Sequence, residues 1–228
     1  MKFENTSLAL VVLLVLLVVA SQAQISSLSS SITGLGSTVL RVSRGSTNLA
    51  SVDINDIKST AQGIATLFPL DEMSTTDGAM QLMFPTGTPE YGDAMGVTFD
   101  DPIGALTKLS NAYPALDQQA RGNPEVWKRY INLASEPRGV SCEFCCGVGA
   151  AGISKDGRSL CGCQHAPALL SVTLWLLMNT DYSDAQILHE VYRWKTLFFP
   201  KDMIGLAGKI AGGDSSVLND LPGMVGGC

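Results

Sequence analysis

Five of the six cysteines and one of the two histidines of this chain fall between Cys142 and His165. The order is Cys142-Glu143-Phe144-Cys145-Cys146, a glycine-rich interval, then Cys161-Gly162-Cys163-Gln164-His165. Thiolate is a soft donor, and imidazole suits zinc and copper. A C-x-x-C step lets two thiolates reach one tetrahedral ion from a single tight turn. Cys161 and Cys163 supply a second pair, and His165 stands two residues on. The chemistry these residues suit is capture of a soft metal ion, with Cys142, Cys145, Cys161 and Cys163 as the first four candidate ligands. Cys146 and His165 are substitutes or supporting groups. Zinc favours tetrahedral sulfur and nitrogen sites and copper(I) favours thiolates, so the expected cofactor is a zinc or copper ion. Cys228 is the sixth cysteine and the final residue. Gly223, Gly226 and Gly227 permit close backbone approach, so the tail is expected to fold back and bring Cys228 to the cluster as ligand or disulfide partner.

Two other chemistries fit the same thiols. An even number of cysteines in an exported chain is the usual mark of structural disulfides, which would make the protein a stapled surface domain. A thiol–disulfide redox protein is the third reading. Metal is favoured over disulfides by two features. The neighbours Cys145 and Cys146 cannot bond to each other without distorting the backbone. Cysteines this closely spaced also close only short loops, which stabilise least. The chain has no G-x-S-x-G, no H-E-x-x-H, no phosphate-binding glycine loop and no dinucleotide fingerprint. A nucleophilic Cys163–His165 pair would have to work among competing thiols, so a catalytic role is not expected.

The same residues carry a resemblance. Cys142-Glu143-Phe144-Cys145-Cys146-Gly147, Cys161-Gly162-Cys163-Gln164-His165-Ala166 and Trp194-Lys195-Thr196-Leu197-Phe198-Phe199-Pro200 resemble a family of exported archaeal and bacterial proteins with the pattern CEYCCG…CGCxHA…WKxLFFP. More distantly, the Cys-Gly-Cys step and the Trp-Lys segment are similar to bacterial PCYCGC-motif lipoproteins. The resemblance covers roughly residues 90 to 228. It implies an exported cysteine-cluster protein with no established activity. No cysteine precedes Cys142, so the lipid anchor of those lipoproteins is not expected.

The elements that must position these thiols read as helices. Asp156-Gly157 marks a tight hairpin turn between the two cysteine pairs. Pro167 suits the first turn of a helix, so the apolar run from Ala168 to Met178 begins a helix whose N-terminus holds Cys163 and His165. The dipole there favours a thiolate. That run is apolar nearly all round, which buries a helix on most sides, and it is expected to be the most buried helix of the domain. Ser183 caps a second helix with Ile187, Val191, Trp194 and Phe198 on one face, stopped by Pro200 and paired antiparallel with the first. His189 lies off that face and reads as a solvated histidine. Earlier in the chain, Asp101-Pro102 and Asn123-Pro124 are helix starts. The first helix should run to about Ala112, burying Ile103, Leu106 and Leu109, and the second should end near Ser135. Ile57, Ala61, Ile64, Ala65 and Phe68 form an amphipathic stripe capped near Asn55, Met80 to Phe84 a short strand, and Met203 to Ile210 a short helix.

The fold class expected is mainly α, one helical domain over 51–228 with a short β-hairpin at the cysteine cluster. Ahead of it, Leu8 to Ala20 is an apolar run of 13 residues, short of the roughly 20 that span a bilayer. Ser21-Gln22-Ala23 follows with small residues at the −3 and −1 positions of a cleavage site. Residues 1–23 are therefore expected to be a signal peptide or N-terminal anchor, and 24–50 a stalk rich in Ser, Gly and Thr. The expected location is outside the cell or on the outer face of the cytoplasmic membrane, with membrane contact only through an uncleaved N-terminal segment. The formal net charge is −6. That sign argues against nucleic acid held through its phosphates, and leaves a metal ion as the expected partner.

Overall fold

The computed structural model describes residues 48–69, 75–147 and 149–218. The expected signal peptide, nearly all of the stalk and Cys228 lie outside the described residues. Those described belong to the unit Arg44–Cys228. They form helices α1 (Thr60–Leu67), α2 (Thr76–Met83), α3 (Gly92–Met95), α4 (Pro102–Arg121), α5 (Pro124–Ala134), α6 (Glu143–Cys146), α7 (His165–Asn179), α8 (Asp184–Phe198) and α9 (Pro200–Ala211). Short 3-10 turns stand at Leu49–Ser51 and Ser215–Leu218. The fold is mainly α, as composition and periodicity imply. Among the described residues no helix is long and apolar enough to cross a membrane.

Two central helices organise the packing. α7 lies against α4, α5 and α8, while α8 also packs on α1 and α9, and α2 packs on α9. The apolar run does form α7, which starts at His165 with Gln164 as N-cap. Its expected rank as the most buried helix is shared. Ten of the fifteen residues of α7 and ten of the fifteen of α8 are buried. The stripe of α8 is wider than Ile187, Val191 and Trp194, because Tyr192, Lys195 and Thr196 are buried beside them.

Local signals set most helix starts. Asp101 Oδ1 accepts from the Gly104 N–H at 3.0 Å, and Asn123 Oδ1 accepts from the Val126 N–H at 3.3 Å. Ser183 and Gln186 complete a capping box on α8, which satisfies two donors that a helix start otherwise leaves open. Other boundaries differ from expectation. α4 runs through Pro114 to Arg121 rather than ending near Ala112. An interior proline costs about 3 kcal/mol, and the long contact with α7 outweighs it. Leu109 is buried there, but Ile103 is 81% exposed. α1 is capped by Ser59, not near Asn55; Ile57 is buried but precedes the helix. The segment read as a strand from Met80 is the end of α2, because Thr75 accepts from the Gly78 N–H and nucleates a helix.

The turn at Asp156-Gly157 is present without the β-hairpin expected around it. The Gly157 N–H bonds to Ser154 O and the Ser154 N–H to Arg158 O, both at 2.8 Å. Gly157 sits at φ +83°, the left-handed position of a three-residue hairpin loop. Beyond it only a single antiparallel bridge, Ile153 to Ser159, forms among the described residues. The turn is instead held by helices. A Cβ at Gly157 would meet Trp127 Cζ2 at 2.4 Å, and Arg121 Nη2 donates to Gly157 O at 3.2 Å.

Candidate metal centre

The first arm of the site is the knuckle Ser141–Gly147. Cys142 is the N-cap of α6, a single turn that Gly147 ends at φ +63°. The Cys145 N–H donates to Cys142 O at 3.0 Å. Cys142 is fully buried, while Cys145 is half-buried. The arm is anchored from behind. Ser141 Oγ donates to Gly149 O at 2.7 Å, and the Gly139 N–H donates to Ala150 O at 2.8 Å.

The second arm leaves the Gly157 turn and enters α7. The Leu160 N–H donates to Gly152 O at 3.0 Å, and Ser159 Oγ donates to Cys161 O at 2.9 Å. Gln164 Nε2 donates to Ser110 Oγ at 3.2 Å, tying the start of α7 to α4. Cys163 stands just ahead of Gln164, the N-cap of α7, and the Ala166 backbone N–H acts to lower its pKa. This is the expected placing of Cys163 at a helix N-terminus.

The arms meet sulfur to sulfur. Cys142 Sγ and Cys163 Sγ are 3.0 Å apart, and the sulfurs of Cys142, Cys161 and Cys163 all lie within 4.8 Å of one another. Three of the four first-choice ligands are thus together, close enough to hold a metal ion. Cys145 and His165 are not part of that group among the described residues. The His165 ring packs instead against Phe199 at 4.8 Å and Phe198 at 5.5 Å between centroids. Burial lowers its pKa, as it does for any imidazole shielded from water. The Cys146 side chain falls outside the description, as does Cys228. His189 lies elsewhere, half-buried on the Phe68 ring at 4.8 Å.

Burial pushes the Cys142 thiol up, and its contacts with Cys163 and then Cys161 add to the rise. Burial also raises Cys163, while its bonds with Cys142 and the Ala166 N–H pull it back. Three crowded, partly desolvated sulfurs cannot all carry charge without a compensating cation. Displacement of thiol protons by a metal ion is the ordinary solution.

A buried ion pair lies behind the knuckle, and the reading of ligand types alone passes over it. Lys195 is fully buried, and its Nζ donates to Glu143 Oε1 at 2.9 Å, Thr60 Oγ1 at 2.9 Å and Gly139 O at 3.0 Å. Thr60 Oγ1 donates in turn to Glu143 Oε1. Burial lowers the Lys195 pKa, and Glu143 and Cys142 oppose that shift. Tyr192 closes the pocket, donating to Arg138 O at 3.0 Å. The ammonium also lies 5.0 Å from the Phe144 ring centroid, and Phe144 packs on Phe199 at 5.5 Å. Lys195 was visible in principle: it stands four residues after Val191 and three before Phe198, on the buried stripe of α8. The three segments Cys142–Gly147, Cys161–Ala166 and Trp194–Pro200, far apart in the chain, therefore gather at one place.

Comparisons of the chain with family models, with curated proteins and with solved structures find no match.

Proposed function

We propose that this is an exported protein that binds one soft metal ion, zinc or copper(I), through the thiolates of Cys142, Cys161 and Cys163. The observation that carries the reading is the convergence of these three sulfurs within 4.8 Å of one another from two separately anchored arms. Three thiolates select a soft ion over calcium or magnesium, which take oxygen donors. A tetrahedral ion takes a fourth donor, and Cys145, Cys146, His165 and Cys228 are the residues of this chain proposed to compete for that position. His165 would have to leave the Phe198–Phe199 pair to do so. Export rests on the short apolar run and Ser21-Gln22-Ala23, and membership of the exported cysteine-cluster family rests on the three quoted segments.

The test is metal stoichiometry on reduced protein handled without oxygen. About one zinc or copper ion per chain is expected in the wild type. Loss of the ion is expected in Cys142→Ser, Cys161→Ser and Cys163→Ser alike. A reduced protein that takes up neither ion, or one whose uptake survives Cys161→Ser, would show that the three thiols are not a metal centre. N-terminal sequencing of the mature protein tests export: a start at Gln24 is expected.

A further inference from the structure

Two of the three sulfurs are closer than a shared ion sets them. Two thiolates on one tetrahedral zinc, each at about 2.3 Å, stand about 3.8 Å apart, and a disulfide brings sulfurs to about 2.05 Å. Cys142 Sγ and Cys163 Sγ, at 3.0 Å, lie between these limits. The two are also unequal in access. Cys142 is fully buried, and Cys163 is half-exposed, on the chain just before α7. A reagent in solution reaches Cys163, whose sulfur stands 3.0 Å from that of Cys142, and the half-buried Cys161 lies within 4.8 Å of both.

We propose that Cys163 and Cys142 are a thiol–disulfide exchange couple that accepts small-molecule disulfides, with Cys163 the attacking and Cys142 the resolving sulfur. In the first step the Cys163 thiolate attacks one sulfur of the incoming disulfide RSSR. A Cys163–SR mixed disulfide forms, and the first RS⁻ leaves. In the second step the Cys142 sulfur, having given up its proton to solvent or to the departing thiolate, attacks the Cys163 sulfur. The Cys142–Cys163 bond forms and the second RS⁻ leaves. Two protein thiols are oxidised, and one small disulfide is reduced to two thiols. The exchange needs no metal. Where an ion is bound as proposed above, the same reaction removes two of its three thiolates and releases it, and this part alone rests on the metal reading.

The experiment uses the full chain, reduced and metal-free, treated with glutathione disulfide without oxygen. The remaining thiols are alkylated and the disulfide-linked peptides mapped. The expected product is a Cys142–Cys163 link with two glutathione molecules released per chain. Cys142→Ser should stop at a stable mixed disulfide between glutathione and Cys163. A dominant link from Cys163 to any other cysteine overturns the couple. So does glutathione carried on Cys161 in the Cys142→Ser variant, or an unreacted wild type at excess reagent. A parallel run on zinc-loaded protein should release one zinc per Cys142–Cys163 link. If the apo-protein forms the link but never binds zinc or copper, the metal reading fails and the couple stands. If it binds one ion through the triad and oxidises elsewhere, the couple fails and the metal reading stands.

Discussion

The knuckle Ser141–Gly147 and the loop Cys161–Gln164 deliver sulfur to the same point by different means. In the knuckle, Ser141, Cys142, Glu143 and Phe144 are all buried. Behind them Lys195 and Thr60 donate to Glu143, and Lys195 also donates to Gly139 O. In the loop, Gly162 and Gln164 are exposed, Leu160 is 43% exposed and the two cysteines are half-buried. The loop is held at its ends, by the Gly157 turn against Trp127 and by the first turn of α7. The contrast teaches a division of labour. The knuckle is part of the core and its sulfur is fixed with the fold. The loop lies on the solvent side of it, with Gly162 and Gln164 exposed.

The largest expected effect falls on the knuckle. Lys195→Met leaves the Glu143 carboxylate buried without its cation, and removing one partner of a buried pair costs about 3–5 kcal/mol. Urea unfolding of the apo-protein should show a midpoint lowered accordingly. The double variant Lys195→Met/Glu143→Leu should recover much of the loss, since apolar replacement of both partners is often neutral. An unchanged midpoint in Lys195→Met would mean that the pair does not hold the knuckle.

Cys142→Ser comes next. A hydroxyl in place of a fully buried thiol costs about 1–3 kcal/mol where it lacks a full set of partners, again measured on the apo-protein. Gly157→Ala tests the far end of the loop. Left-handed backbone costs a side-chain-bearing residue about 1–2 kcal/mol, and the new methyl would press on Trp127. A modest fall in stability is expected, together with weaker metal retention as the loop loses its anchor. The smallest effect is Cys163→Ser, a half-exposed position, within about 0.5 kcal/mol in the apo-protein. Equal stability losses in Cys142→Ser and Cys163→Ser would erase the distinction between the arms.

Features governed by neighbouring residues were legible in the sequence. Asp101-Pro102, Asn123-Pro124 and Ser183 start helices because a cap and a fixed proline φ act within one turn. The tight turn at Asp156-Gly157 was equally local, although the strands expected beside it reduce to one bridge. Features governed by packing were not. The helix from Pro102 reads as ending near Ala112, yet α4 passes through Pro114 to Arg121 along its long contact with α7. Ile103 reads as core by its spacing but lies at the solvent end of α4. At the site, spacing identified Cys142, Cys161 and Cys163, but it could not tell which sulfur of the C-x-x-C step turns inward. That depends on Glu143 being drawn to Lys195, about fifty residues away. His165 was placed correctly at the start of α7, yet its ring is taken up by Phe198 and Phe199, whose approach is set by the end of α8.

The most direct test of the account is X-ray absorption at the metal edge on the zinc-loaded, reduced protein. A first shell of at least three sulfurs at about 2.3 Å, reduced in number by Cys161→Ser, is the predicted result. A shell dominated by nitrogen and oxygen near 2.0–2.1 Å, unaltered in that variant, would place the ion elsewhere and contradict the thiolate centre.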